Sequence, residues 1–353
     1  MFSFKKLINS LSKLLIVSLC FITLCMSNAV AASNAAAIEA AVTSYKTIGT
    51  LRRETPINGD AIANAYTGAL KNLVQEVDTA NSLSLDSDIL AAIDEIKSGN
   101  EPSLAAQVID KTLQRVFYQI VWNRITAIRD QFNTATSAAL VQILDEAVAS
   151  FQAITGTVAR ANEVLSADRQ FIEAGSNPGL DIQFNESIAR IRAALDKGNP
   201  AEDFANIAVE RYVARLLLAR AYYIGVLREV RGIIENRNSD LITARIQLKE
   251  GEVFYRIIES LIARDNPTGS ALIKAQLAGN VSDVVADEIV SELSKGLIGR
   301  VTGEMNGQAE SIGVDRVQAM AEASGTAAFA KILLPDLELR MGADVRGNLE
   351  TAL

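Results

Sequence analysis

Histidine is missing from all 353 residues, and cysteine, tryptophan and proline are scarce, at two, one and six. Without an imidazole the chain cannot build a Ser-His-Asp triad, a histidine-ligated zinc, haem or copper centre, or a histidine proton relay. Glycine signatures are missing too. There is no phosphate-binding loop, no Gly-x-Gly-x-x-Gly after a strand and no Gly-x-Ser-x-Gly elbow, so nucleotide binding and serine-hydrolase chemistry find no support. Two carboxylates alone would suffice for glycoside hydrolysis, but nothing in the sequence positions such a pair. The chain is therefore expected not to be an enzyme, and no catalytic residue can be named.

Both cysteines, Cys20 and Cys25, fall near the N-terminus. Met1 to Lys13 carries three lysines and no acid, Leu14 to Met26 is apolar, and Ala29-Val30-Ala31 offers a small-x-small cleavage site. This is the pattern of a secretory signal peptide, and it predicts a leader over 1–31 followed by a single domain over 32–353. Leucine precedes each cysteine, where a lipoprotein signal needs a small residue. Removing the leader takes away both cysteines and three lysines, leaving 31 basic against 42 acidic residues, a net charge of −11. Disulfides, thiolate ligands and iron–sulfur clusters are then excluded, and burial must hold the fold together. No later stretch reaches the roughly 18 uncharged apolar residues that a membrane helix needs; the richest, 212–226, contains Arg215 and Arg220. The expectation is an acidic periplasmic or extracellular protein with no membrane span after leader cleavage. Its negative charge argues against nucleic acid as a partner.

What is present is helix. Ala, Leu, Ile, Val, Glu and Arg dominate, apolar residues recur at three and four rather than two, and the six prolines read as punctuation at 56, 102, 178, 200, 267 and 335. The pattern predicts an all-α fold with helices near 33–54, 60–80, 86–98, 103–132, 136–165, 185–197, 202–234, 239–264, 268–278 and 282–304, and further ones after 310. Segments also repeat. Glu39 to Ile48, Asp145 to Ile154 and Lys249 to Ile258 share an acid, then an aromatic (Tyr45, Phe151, Tyr255) and a closing isoleucine. Asp110-Lys111 with Arg115, Tyr118 and Trp122 is matched by Glu210-Arg211 with Arg215, Leu218 and Tyr222. Gly-Asn steps at 99, 198 and 279 precede helices, and glycine there is expected to take the left-handed conformation that ends a helix. Together these predict a helical bundle of about three diverged repeats of roughly 100 residues.

Charges on apolar faces are the candidate site. Ile207, Ala214, Leu217, Ala221 and Ile224 share a helical face with Glu210; Ala106, Leu113, Phe117 and Val121 surround Asp110; and Glu250 lies on the line of Ile246, Val253, Ile257 and Leu261. Two readings stay open. Such acids are structural ion pairs that fix how helices dock, or they converge with a tyrosine on a hard cation, which an all-oxygen site without histidine would restrict to Ca, Mg, Mn or iron. The basic stripe Lys111/Arg115 and Arg211/Arg215 could instead hold an anion, although arginines bridged to nearby acids are commoner. Trp122, Tyr118, Tyr222 and Tyr223 read either as core or as a ligand platform.

The stretch Lys249-Glu-Gly-Glu-Val-Phe-Tyr-Arg-Ile-Ile258, with the leader, the length and the helical repetition, resembles the low-iron-inducible periplasmic protein family. That family comprises the algal iron-assimilating and high-CO2-inducible extracellular proteins and their bacterial relatives. The resemblance implies a secreted, non-enzymatic protein of iron assimilation with iron as its ligand. It implies Glu250, Glu252 and Tyr255 as metal ligands and, by internal repetition, Glu146; Asp110 and Glu210 join this set from the residue pattern. Ala40 stands where the second unit has Glu146, so the site is not repeated in every unit. The alternative is a helical-repeat scaffold whose partner is another macromolecule.

Overall fold

The computed structural model describes residues 34–168 and 179–341, with a few positions beyond 341. The leader read over 1–31 and the turn read at Pro178 lie outside the described residues. Across them the chain is all helix: α1 (Ala35–Leu51), α2 (Gly59–Ala65), α3 (Gly68–Asn81), α4 (Leu85–Ser98), α5 (Pro102–Gln131), α6 (Ser137–Phe151), α7 (Thr155–Asp168), α8 (Leu180–Ala194), α9 (Pro200–Asn236), α10 (Leu241–Ala263), α11 (Pro267–Ala278), a single 3-10 turn (Val281–Asp283), α12 (Ala286–Ser311) and α13 (Arg316–Met341). No described helix is long and apolar enough to cross a membrane.

Local chemistry sets most of the starts. Pro102, Pro200 and Pro267 occupy the first turn of α5, α9 and α11, where the missing N–H has no helical acceptor to lose. The side chains of Asn34, Asn58, Thr136, Asp240 and Asn266 accept from the backbone N–H three residues on, each satisfying one of the donors that a helix start leaves free.

Long-range contacts correct the predicted elements in several places. The helix expected over 60–80 is two, because the chain breaks at Tyr66-Thr67 and resumes at Gly68 with φ +56; Tyr66 is buried there and donates to Asp86 at 2.7 Å. The helix expected over 136–165 is also two. Phe151 closes α6 by stacking on Phe184 of α8, ring centres 4.1 Å apart, and three tight turns run to Ile154. Pro335 punctuates nothing and sits inside α13, just past buried Ile332, Leu333 and Leu334. Of the three Gly-Asn steps only Gly99 is left-handed, with φ +75. At the second step Lys197 takes φ +55 instead, held by its ammonium donating to the carbonyls of Phe132 and Ala135. Gly279 has φ −86; a Cβ there would meet Asp283 Oδ2 at 2.9 Å, so close approach explains that glycine.

Two long helices organise the bundle. Tyr118 of α5 meets Tyr222 of α9 edge to face at 5.6 Å, and Trp122 lies under Arg211 and Arg215 at 5.0 and 4.1 Å. Numbers rise along one helix as they fall along the other, so the pair runs antiparallel. Glycines let α10 approach α9 closely: a Cβ on Gly225 would stand 3.0 Å from Phe254, and one on Gly232 would stand 2.1 Å from Gln247. Around this trio α8, α12 and α13 pack on α9, while α1 lies on α3 and α6. The expected repeat units interlock, because α10 from the third packs on both α5 and α9. Fully buried Phe117, Ile120, Val226, Ile233 and Leu293 run through the core; at about 1.5–3 kcal/mol for each large side chain, such burial holds together described residues that include no cysteine.

Candidate functional site

The six residues singled out as metal ligands are buried or half-buried, and each has its own neutralising or hydroxyl partner. Glu210 accepts from Arg190 at 2.5 and 3.1 Å. Glu146 shares Arg124 with Glu76, at 2.5 and 2.6 Å. Glu252 is clamped between Lys249 at 2.6 Å and Arg256 at 2.5 Å on its own helix. Tyr255 donates to Ser270 Oγ at 2.8 Å, and burial pushes its hydroxyl up to about 12. Only Asp110 and Glu250 come together, and they do so across Lys111, whose ammonium stands 3.0 Å from the first and 3.7 Å from the second. Among the described residues no three His, Cys, Asp or Glu side chains stand close enough to hold a metal ion. The aromatics expected as a platform are packed inward: Tyr118, Tyr222 and Tyr223 are buried, and Trp122 is covered by its two arginines.

Asp110 and Glu250 instead belong to the wall of a polar pocket of about 850 Å³. Five segments build it: the C-terminal end of α1 with the turn after it, the first third of α5, the start of α7, the 228–235 stretch of α9, and α10 from Gln247 to Phe254. At its base the Asp110 carboxylate is 4% exposed. It accepts from Tyr45 Oη at 2.9 Å and pairs with Arg52 at 3.2 Å as well as with Lys111. Burial pushes this carboxyl up, but the Lys111 and Arg52 charges outweigh it and hold the group below its ordinary value. Tyr45 is driven up by burial and by the Asp110 charge. Gln114, on the same helix, accepts from Thr157 at 2.6 Å and so ties the start of α7 to this base. Glu229 is also buried, and among the described residues its ion-pair partner is the adjacent Arg228, at 3.0 Å. Burial and the nearby Glu250 charge raise its carboxyl above the ordinary glutamate value.

The charges of the pocket do not balance. Seven cationic side chains line it against four anionic ones. Asp110, Glu229, Glu235 and Glu250 are each neutralised, by Arg52 and Lys111, Arg228, Arg231, and Lys111 in turn. That leaves Lys46, Arg53 and Arg160, which have no acidic partner among the described residues. The buried Nε of Arg52 also lacks an acceptor.

No protein-family model, curated protein or solved structure matches the chain. The site must be read from its own residues.

The residue pattern found Asp110, Lys111 and Glu250 but missed Arg52, Arg53, Lys46, Arg160 and Glu229. Glu229 carries a usable signal, since Val226, Val230 and Ile233 surround it on α9. The missed cations carry none: they sit on exposed or terminal positions where basic residues are ordinary.

Proposed function

We propose that the chain is a binding protein that takes a small hydrophilic ligand into the pocket between α1, α5, α7, α9 and α10. The observation that carries this reading is the pocket itself: about 850 Å³, within the range of small-molecule sites, and walled by eleven charged side chains drawn from five separate segments. Its base is rigid, because Asp110 is held from four directions by Tyr45, Arg52, Lys111 and Gln114. A preorganised wall of this kind lowers the ordering cost of binding. The carboxylates that the sequence offered to a hard cation are already matched by arginine and lysine. Iron, the ligand implied by the family resemblance, therefore fits this pocket better as part of a complex that presents other groups than as a bare ion on these acids.

The test is to purify the protein from its native compartment and weigh it under non-denaturing conditions, beside Gly156→Trp. Gly156 lines the pocket, and a Cβ there meets nothing within 4 Å, so the position accepts a side chain, and a tryptophan is the one chosen to occupy pocket space. A small molecule carried by the wild type and lost in the variant supports the reading. Stoichiometric iron bound by the metal-stripped protein and lost in Glu250→Ala, with Gly156→Trp unaffected, would overturn it in favour of a carboxylate metal site. One observation favours the scaffold alternative: Ile298 and Met305 stand seven apart on α12, Ile312 follows just past its end, and each is more than half exposed. That reading predicts that Met305→Glu alters complex formation while no small molecule is found.

A further inference from the structure

We infer that the ligand of this pocket is a compact polyanion carrying two or three oxyanionic groups, phosphoryl or carboxylate. The inference rests on the pocket being the binding site and adds the chemistry of what fills it. Seven cations face four acids across the lining, and every one of those acids is already engaged within the wall. The surplus of three positive charges matches the three side chains that have no acidic partner among the described residues, Lys46, Arg53 and Arg160. They approach from different elements: Lys46 from α1, Arg53 from the turn after it, Arg160 from α7. Beneath them Arg52 presents a buried Nε with no acceptor, a donor whose desolvation nothing in the protein offsets. This surplus stands in a chain of net charge −8, so it runs against the composition.

A neutral ligand would leave these three positive charges of the lining unmatched. A cation would add to that excess. An anion with several oxygen acceptors relieves it, satisfies the Arg52 donor and gains charge-assisted hydrogen bonds, which are stronger than neutral ones. Guanidinium groups favour planar and tetrahedral oxyanions because their paired donors match two oxygens at once. The four matched acids have a role in this arrangement: they hold Arg52, Lys111 and Arg228 in place, so the deep cations are positioned before the ligand arrives.

Calorimetric titration of the full protein with sodium pyrophosphate, citrate, maltose and spermidine tests this. Pyrophosphate or citrate should bind and should bind more weakly as salt is raised. Binding of only one of the two assigns the phosphoryl or the carboxylate class. Lys46→Gln, Arg53→Gln and Arg160→Gln combined should weaken binding about ten- to one-hundredfold, the loss of three partly screened charge contacts, with an unchanged melting temperature because these side chains hold nothing in place. Arg316→Gln, an exposed cation paired with Glu202 away from the pocket, should change nothing. An effect per charge as large as that of the pocket variants would reduce the finding to net charge and overturn the inference. Failure of both anions, with maltose or spermidine binding and lost in Gly156→Trp, also overturns it while leaving the pocket reading intact. Binding of any probe that Gly156→Trp leaves untouched would instead remove the pocket reading itself.

Discussion

Asp110→Asn separates a structural carboxylate from a ligand-binding one. The change is nearly isosteric and keeps an acceptor for Tyr45 Oη, which donates to this carboxylate at 2.9 Å, but it withdraws the charge that faces Arg52 at 3.2 Å and Lys111 at 3.0 Å. Removing one partner of a buried pair costs about 3–5 kcal/mol because the other charge is left desolvated. Here both cations keep something: Lys111 retains Glu250 at 3.7 Å, and Arg52 still donates to Gln107 at 3.0 Å. The low end, about 3 kcal/mol, is therefore expected, or roughly 6 °C in melting temperature for a body of this size. Urea denaturation should show the loss as a lower midpoint at constant slope. Its pH dependence has a definite sign. The Asp110 carboxyl is held below 3.8 in the folded protein, so its contribution is full above that value and is lost as pH falls through the folded value, and the gap between wild type and variant should close in strong acid. A variant within about 0.5 kcal/mol of wild type at pH 7 would refute the structural account. If it also lost bound iron, the cation reading would be restored.

Three further outcomes follow from the same geometry. Tyr255→Phe removes a buried hydroxyl that donates to Ser270 and should cost about 1–2 kcal/mol by urea denaturation, without altering the metal content of the native protein; a fall in metal at unchanged stability would make Tyr255 a ligand. Glu229→Gln should raise the melting temperature near neutral pH. The wild-type carboxyl is raised in the folded state, so its contribution is present below the ordinary glutamate value and is lost as pH rises through the folded value; the variant's gain should shrink as pH falls towards 4. A variant less stable than wild type throughout would mean that the Arg228 contact outweighs burial. Gly296→Ala should destabilise by about 1–3 kcal/mol, because its Cβ would meet Ile262 Cγ2 at 2.7 Å and Ile262 Cα at 3.0 Å. Gly49→Ala, with nothing within 4 Å, should stabilise α1 by about 0.5–1 kcal/mol. Equal effects at the two positions, read from thermal melts, would show that packing at Gly296 is looser than its contacts indicate.

How far the sequence can be read depends on how local each determinant is. The starts of α5, α9 and α11 are set by a proline and its neighbours, and so are legible in a few residues. The breaks at Tyr66 and Phe151 are set by Asp86 and Phe184, which lie on other helices, and no window around the break contains them. The same division runs through the site. That Asp110 and Glu210 would be buried was legible, because their own helices supply the apolar neighbours. What neutralises them was not: Glu210 is matched by Arg190 of α8, and Asp110 by Arg52 from the turn after α1. An acid read alone on an apolar face looks like a vacant ligand, and it stops looking so once an arginine from elsewhere in the chain is placed beside it. The pocket inverts this. Lys46, Arg53 and Arg160 are exposed basic residues of the commonest kind, and nothing in their local sequence marks them. Their significance lies in a subtraction that only the folded chain performs, in which four acids cancel four of seven cations and the remaining three are left facing one space. A chain with an excess of acid over its whole length keeps an excess of base there, and it is this reversal, more than any single residue, that points to an anion.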